Sequence, residues 1–189
     1  MLERIRAVLD QNPQVSSAPG DSLAAVLTPL LPGPEPALVF TRRASDLARH
    51  PGEISFPGGL PHDGDPDLAF TALRETEEEL GIRPAMVELL GALPAVHTVV
   101  SGVLIVPFVG LLREAPEYSP SPVEIAEVLE YTLADLAEAE AEVEWRKGGR
   151  TWTGYAYDTG GVVIWGATGR ILHSLLEVSK IDEVSKIDD

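Results

Sequence analysis

The chain has 189 residues, 44% of them apolar, and a formal net charge of −16. That length and apolar content suit one folded domain with a substantial core and argue against disorder across the body of the chain. With no cysteine, disulfide frameworks, thiolate nucleophiles and cysteine-ligated zinc are excluded, and the strong negative charge argues against coating nucleic acid, which needs a basic footprint.

The opening residues MLERIRAVLD are amphipathic and charged, without the apolar core of a signal peptide. They read as a short helix with Leu2, Ile5, Val8 and Leu9 on one face. After a loop over 13–20, apolar runs at 23–31 and 37–41 predict two strands separated by LPGPEP. A short strand at 54–56 leads into the pair Gly58 and Gly59. A helix is expected from Pro66, capped by Asp65, with Ala69, Ala72, Leu73, Thr76 and Leu80 facing the core and Gly81 as its stop. Strands follow at 87–93 and 103–112, then at 127–131, and a short acidic helix from Leu133. The runs 143–145, 151–157 and 162–165 read as a meander with glycine turns, and 167–176 as a closing helix. Residues 177–189 are expected to form a charged, frayed tail holding the tandem repeat EVSKID. The longest apolar stretch, about 99–112, is broken by Ser101, Gly102 and Pro107 and is too short to cross a bilayer. A cytoplasmic protein with no membrane partner is expected. The sequence does not set the oligomeric state.

The helix ends RETEEELGI, and Glu75, Glu78 and Glu79 lie three and four residues apart, on one side of it. An acidic helix face usually carries basic partners four residues on. Here those positions are Glu79, Ile82 and Arg83, and the acids also sit at the negative end of the helix dipole. The residues alone leave two readings: a site for a hard divalent cation or a plain acidic surface.

Joined to the glycine pair, residues 56–82, FPGGLPHDGDPDLAFTALRETEEELGI, closely resemble the Nudix box, the signature of the Nudix hydrolases. Residues 74–82 satisfy the second half of that pattern. In the first half, the expected glutamate falls on Asp65, and eight residues rather than seven separate it from Arg74. Asp65 is therefore read as a helix cap and not as a catalytic acid. The resemblance implies an α/β fold, the Nudix α/β/α sandwich around a central mixed β-sheet. It further implies hydrolysis of a nucleoside diphosphate derivative with Mg2+ or Mn2+. Glu75 and Glu79 would be the principal metal ligands and Glu78 a further one. Arg74 would orient a box glutamate, and Glu124 or Glu127 would be a downstream base or ligand, with His97 a weaker candidate base.

Upstream, residues 38–59, LVFTRRASDLARHPGEISFPGG, resemble the pattern of the Nudix subgroup that cleaves coenzyme A. Thr41, Arg43, Ala44, Gly52, Phe56, Pro57, Gly58 and Gly59 fall in register, while Ala48 stands where the subgroup has arginine, with Arg49 beside it. Arg42, Arg43, Arg49 and His50 form the densest basic cluster in the chain, and guanidinium forks suit phosphates. They are taken as substrate-binding, together with Phe56, Gly58 and Gly59. The implied substrate is coenzyme A. A diphosphatase for NADH, ADP-ribose, a nucleoside triphosphate or another nucleoside diphosphate derivative, and a non-catalytic ligand sensor of the same fold, are the rival readings. Trp145, Trp152 and Trp165 read as core or sheet-packing residues, with one able to stack on adenine.

Overall fold

A computed structural model describes residues 1–15, 21–47, 50–98, 102–147 and 149–180. Helix α1 (Leu2–Val8) is followed by strands β1 (Ser22–Leu31), β2 (Ala37–Arg43), β3 (Ile54–Ser55) and β4 (Gly58–Gly59). Helix α2 (Leu68–Leu80) leads through a 3-10 turn into β5 (Val87–Ala92), β6 (Val96–His97) and β7 (Val103–Leu112). Then come β8 (Ile125–Thr132), α3 (Leu133–Ala139), β9 (Glu140–Lys147), β10 (Arg150–Asp158), β11 (Val163–Ile164) and α4 (Gly166–Lys180). The closing helix runs four residues past its expected end at 176, so the first copy of the EVSKID repeat begins inside α4. Residues 181–189 lie outside the described residues.

The main sheet has eight strands in the order β3-β2-β1-β7-β5, with β4 beside β1, β6 beside β7 and β8 beside β2. It is mixed: β1 and β7 run parallel, and the other pairs are antiparallel. The period-2 alternation of the strands sorts their side chains onto two faces. Ala25 and Leu27 of β1, Val39 of β2, and Val106 and Phe108 of β7 pack with Ala72 and Leu80 of α2. Leu30, Leu38, Phe40 and Val109 pack with Ile5 and Leu9 on the opposite face, where Ile171, Leu172, Leu175 and Leu176 of α4 complete the layer. The expected α/β/α sandwich is the fold. The meander forms a separate sheet, β11-β10-β9, and its Tyr157 and Ile164 join the α4 core.

Helix α2 starts two residues later than its sequence suggests. Its cap is Asp67, whose carboxylate accepts from the Phe70 N–H at 2.8 Å, and Pro66 lies outside the helix. Asp65 is not the cap because its carboxylate is already engaged elsewhere, as described below. Gly81 ends the helix as predicted, left-handed at φ 74°, with its N–H on the Glu77 carbonyl.

Candidate active site

The glycine pair is itself a strand. Val26 faces Gly58 and Ala25 faces Gly59 across the β1–β4 pair. A Cβ on Gly58 would stand 2.3 Å from the Ala25 carbonyl oxygen, and one on Gly59 would stand 2.6 Å from the Glu75 carboxyl carbon. Gly58 also holds φ 154°. Only glycines let this backbone lie between the central sheet and the carboxylates of α2. Phe56 anchors the approach, 3% exposed and stacked on Phe40 with ring centroids 4.6 Å apart. Phe56, expected to meet substrate, is packed in the core in this structure.

On α2, Arg74 is the hub. Its Nε and Nη2 donate to the two oxygens of Asp65 at 3.1 and 3.0 Å, and Nη2 also donates to the Leu60 carbonyl at 3.2 Å. Its Nη1 donates to Glu75 at 2.9 Å and to Glu78 at 3.2 Å. Asp65 further accepts from the His62 N–H and the Thr71 hydroxyl. The Arg74 bonds, then these, hold the Asp65 carboxyl well below the ordinary aspartate range. Reciprocally, bonding to Asp65 raises Arg74 above its already high value. The basic partner that Glu78 lacks four residues downstream thus lies four residues upstream, on Arg74.

Glu79 is different in kind. It is 3% exposed, and its Oε2 has no hydrogen-bond partner. Burial, and then the charges of Glu75 and Glu124, push its carboxyl up to about 8 against the opposing pull of Arg43 and the Gly58 N–H. Arg43 comes from β2, where strand alternation turns it away from its neighbour Arg42 and the register with β8 shifts between the two. Arg42 sits opposite Glu127 and pairs with it at 2.8 Å. Arg43 falls on the α2 side of the sheet, with a buried Nε that has no partner. The basic cluster is therefore divided: Arg43 faces the acids, Arg42 is spent on Glu127, and His50 pairs with Glu53 at 2.8 Å. Arg49 lies outside the described residues.

The turn before β8 completes the site. Ser119 N–H donates to the Leu80 carbonyl and Ser121 N–H to that of Glu79, both at 2.9 Å. The same turn bonds the Glu124 N–H to the Ser121 carbonyl, and the Glu124 carbonyl accepts from Ala44 N–H at 2.8 Å. This places Glu124, and not Glu127, within electrostatic reach of Glu79. His97 is on β6, beyond β1 and β7 from the glycine strand, and pairs with Asp21 at 3.4 Å. Trp145 of β9 and Trp165, just past β11, have ring centroids 6.4 Å apart, and Trp165 is 48% exposed rather than a core residue.

The donor set fits a hard divalent cation. All its groups are carboxylate oxygens, one buried oxygen is unsatisfied, and the missing Cβ of Gly59 makes the room that the Glu75 carboxylate occupies. Among the described residues the three box glutamates do not form a set with ligand atoms all within 4.8 Å of one another. Two features escaped the sequence reading. Asp65 anchors Arg74, which the displaced acid of the box could have signalled, and the Ser119–Ser121 backbone bonds left no signal in side-chain types.

Comparison with known proteins points one way. The pattern of the NUDIX domain matches residues 22–153. The uncharacterized Nudix hydrolase NudL of Pectobacterium atrosepticum is 34% identical over 165 residues, 82% of each chain. The protein of that name from Escherichia coli O7:K1 is 37% identical over 157 residues, 80% of each. Among solved structures, a MutT/nudix family protein from Enterococcus faecalis superposes with TM-score 0.53 at 15% identity, over 92% of this chain and 65% of that one. The NUDIX domain of Shewanella oneidensis NrtR, complexed with ADP ribose, gives 0.51 at 18% identity, over 67% and 81%. At these identities the structural matches speak to fold.

Proposed function

The chain belongs to the NUDIX domain family, and from that footing we propose that it hydrolyses the diphosphate bond of coenzyme A, releasing 4′-phosphopantetheine and adenosine 3′,5′-bisphosphate. As a Nudix hydrolase it acts on phosphoric anhydride bonds of nucleoside diphosphate derivatives. The step to coenzyme A rests on the upstream segment. The one observation that carries it is Arg43, the arginine of that segment in register with the coenzyme A pattern, close enough to lower the Glu79 carboxyl and with an unpartnered guanidinium nitrogen.

Hydrolases of this family use divalent ions such as Mg2+ or Mn2+. Here Glu75 and Glu79 would hold the ion, with Glu78 in support. Bound there, it would neutralise the diphosphate and acidify water. The chain's own residues do the rest. Arg43 supplies a fixed positive charge where the diphosphate oxygens sit. Asp65 holds Arg74, and Arg74 in turn holds the carboxylates of Glu75 and Glu78, which limits the side-chain movement the reaction needs. Glu124 takes the proton of the attacking water as its oxygen bonds to phosphorus. The bridging P–O bond breaks, and the electron pair leaves on the departing phosphate oxygen. In this reading the enzyme works in the cytoplasm, to which a cysteine-free chain is suited.

The test is a substrate panel of coenzyme A, NADH, ADP-ribose and nucleoside triphosphates with Mg2+, separating the products by chromatography. Coenzyme A turned over fastest, to the two named products, supports the assignment. Turnover of ADP-ribose or NADH with none of coenzyme A overturns it while leaving the hydrolase class intact.

A further inference from the structure

We propose a second metal site, for a divalent transition ion of the zinc type, built from Glu140, His173 and Glu177 where α4 packs on the second sheet. One carboxylate oxygen from each glutamate and one imidazole nitrogen all lie within 4.8 Å of one another. His173 and Glu177 are four residues apart on α4 and so project from the same helical face, while Glu140 opens β9 on the neighbouring sheet. His173 Nδ1 stands 3.3 Å from Glu140 Oε2. Two ligands at about 2.0–2.2 Å from a tetrahedral zinc are about 3.3–3.6 Å apart, so this edge already has coordination length.

The set differs from a plain acidic surface in three ways. It includes an imidazole, it draws on two elements of structure, and its His173 and Glu140 side chains are only 24% and 18% exposed. Neighbours outside the set hold the ligands in place. Tyr155 stacks on the His173 ring at 3.5 Å and 10°, which fixes the plane of the imidazole. The buried Tyr157 hydroxyl donates to Glu140 Oε2 at 2.8 Å, fixing that carboxylate, as outer partners do in metal centres.

The ligand types also separate this site from the one on α2. Carboxylate oxygens alone suit Mg2+ or Mn2+, whereas a mixed imidazole and carboxylate set favours Zn2+ and similar ions. An ion here would tie α4 to the β9–β10 sheet and stabilise the fold without entering the hydrolytic reaction. The proposal is independent of which diphosphate the enzyme cleaves.

The test uses chelator-stripped full-length protein carrying Glu79→Gln, so that the box site is weakened, titrated with Zn2+ by calorimetry and followed by thermal unfolding. One equivalent of Zn2+ is expected to bind and raise the unfolding temperature. Adding Glu177→Gln, an exposed position that leaves packing intact, should weaken binding by at least the ~10-fold typical of losing even an outer partner. Adding His173→Gln should abolish both binding and the temperature rise. Co2+ in place of Zn2+ should give visible absorption bands that vanish with His173→Gln. Zn2+ affinity unchanged by Glu177→Gln, or no stoichiometric binding at all, overturns the proposal and marks these residues as an ordinary ion pair beside a second acid.

Discussion

At Arg74, all of the guanidinium's N–H groups point to acceptors: Asp65, the Leu60 carbonyl, Glu75 and Glu78. The fork geometry of arginine is what allows one side chain to serve an anchor and two ligands at once. Asp65 is one carbon shorter than the glutamate of the family pattern, and one extra residue separates it from Arg74. The longer connection returns the shorter acid to bonding distance. Replacing Asp65 by Asn removes the charged anchor but keeps the shape. It should lower kcat by about 10–100-fold, the usual scale for an outer partner of a metal ligand, with little change in KM. The Asp65 carboxyl is depressed from an ordinary value of 3.8. Its contribution to stability is therefore complete above about pH 4 and is lost as pH falls through the folded value. Denaturant titrations should show a constant gap between wild type and Asp65→Asn at neutral pH, closing as the pH drops below 4. A gap that instead widens in acid contradicts the pairing. Gly59 offers a second test. In Gly59→Ala the new methyl would fall 2.6–2.7 Å from the Glu75 carboxylate, so activity should collapse while circular dichroism still reports a folded protein. Wild-type turnover in that variant would mean that Glu75 does not need its present position.

The elements of the site join in a circuit. Helix α2 rests on the central sheet through Ala72 and Leu80, the glycine strand presses against its Glu75, and the Ser119–Ser121 turn caps its last carbonyls. At the other end, Asp67 caps the helix away from the chemistry. Asp67→Ala should cost about 1 kcal/mol of stability and leave kcat/KM unchanged, measured by urea unfolding beside an activity assay. A loss of kcat as large as that of Asp65→Asn would contradict the division between cap and anchor. Most of these elements are readable from the chain: β1, β2, β5, β7 and α2 announce themselves by apolar runs, periodicity and the Gly81 stop. Three features are not. A two-residue strand of glycines has no side-chain pattern, and its pairing with Val26 and Ala25 is a tertiary event. The choice of Asp67 over Asp65 as cap depends on where Arg74 reaches. Alternation puts Arg42 and Arg43 on opposite faces of β2, but with both faces of the strand apolar, which arginine looks toward α2 is settled only by the tertiary packing.

For the whole molecule, the charge of −16 sets a condition on any phosphate ester substrate: attraction has to be local. The fold meets it by turning one arginine of its basic segment inward, toward Glu79, and pairing another with a surface acid. The class of the enzyme is legible in residues 56–82 through their resemblance to the Nudix box, whereas the acidic helix alone leaves a cation site and a plain acidic surface both open. The substrate is less legible, since Ala48 and Arg49 depart from the coenzyme A pattern and side-chain direction, more than composition, decides which arginine meets a phosphate. Among the described residues no helix is long and apolar enough to cross a membrane. The central claim is that Glu75, oriented by Arg74, and Glu79, faced by Arg43, form a centre for cleaving coenzyme A at its diphosphate. Its most direct test is the rate of 4′-phosphopantetheine release from coenzyme A with Mg2+, compared between wild type and Glu79→Gln. The account predicts steady release by wild type and a fall of at least about 100-fold in the folded variant, the scale of losing one fixed electrostatic contact at a reacting group. Equal release by the two proteins, or none by wild type while ADP-ribose is consumed, would contradict it.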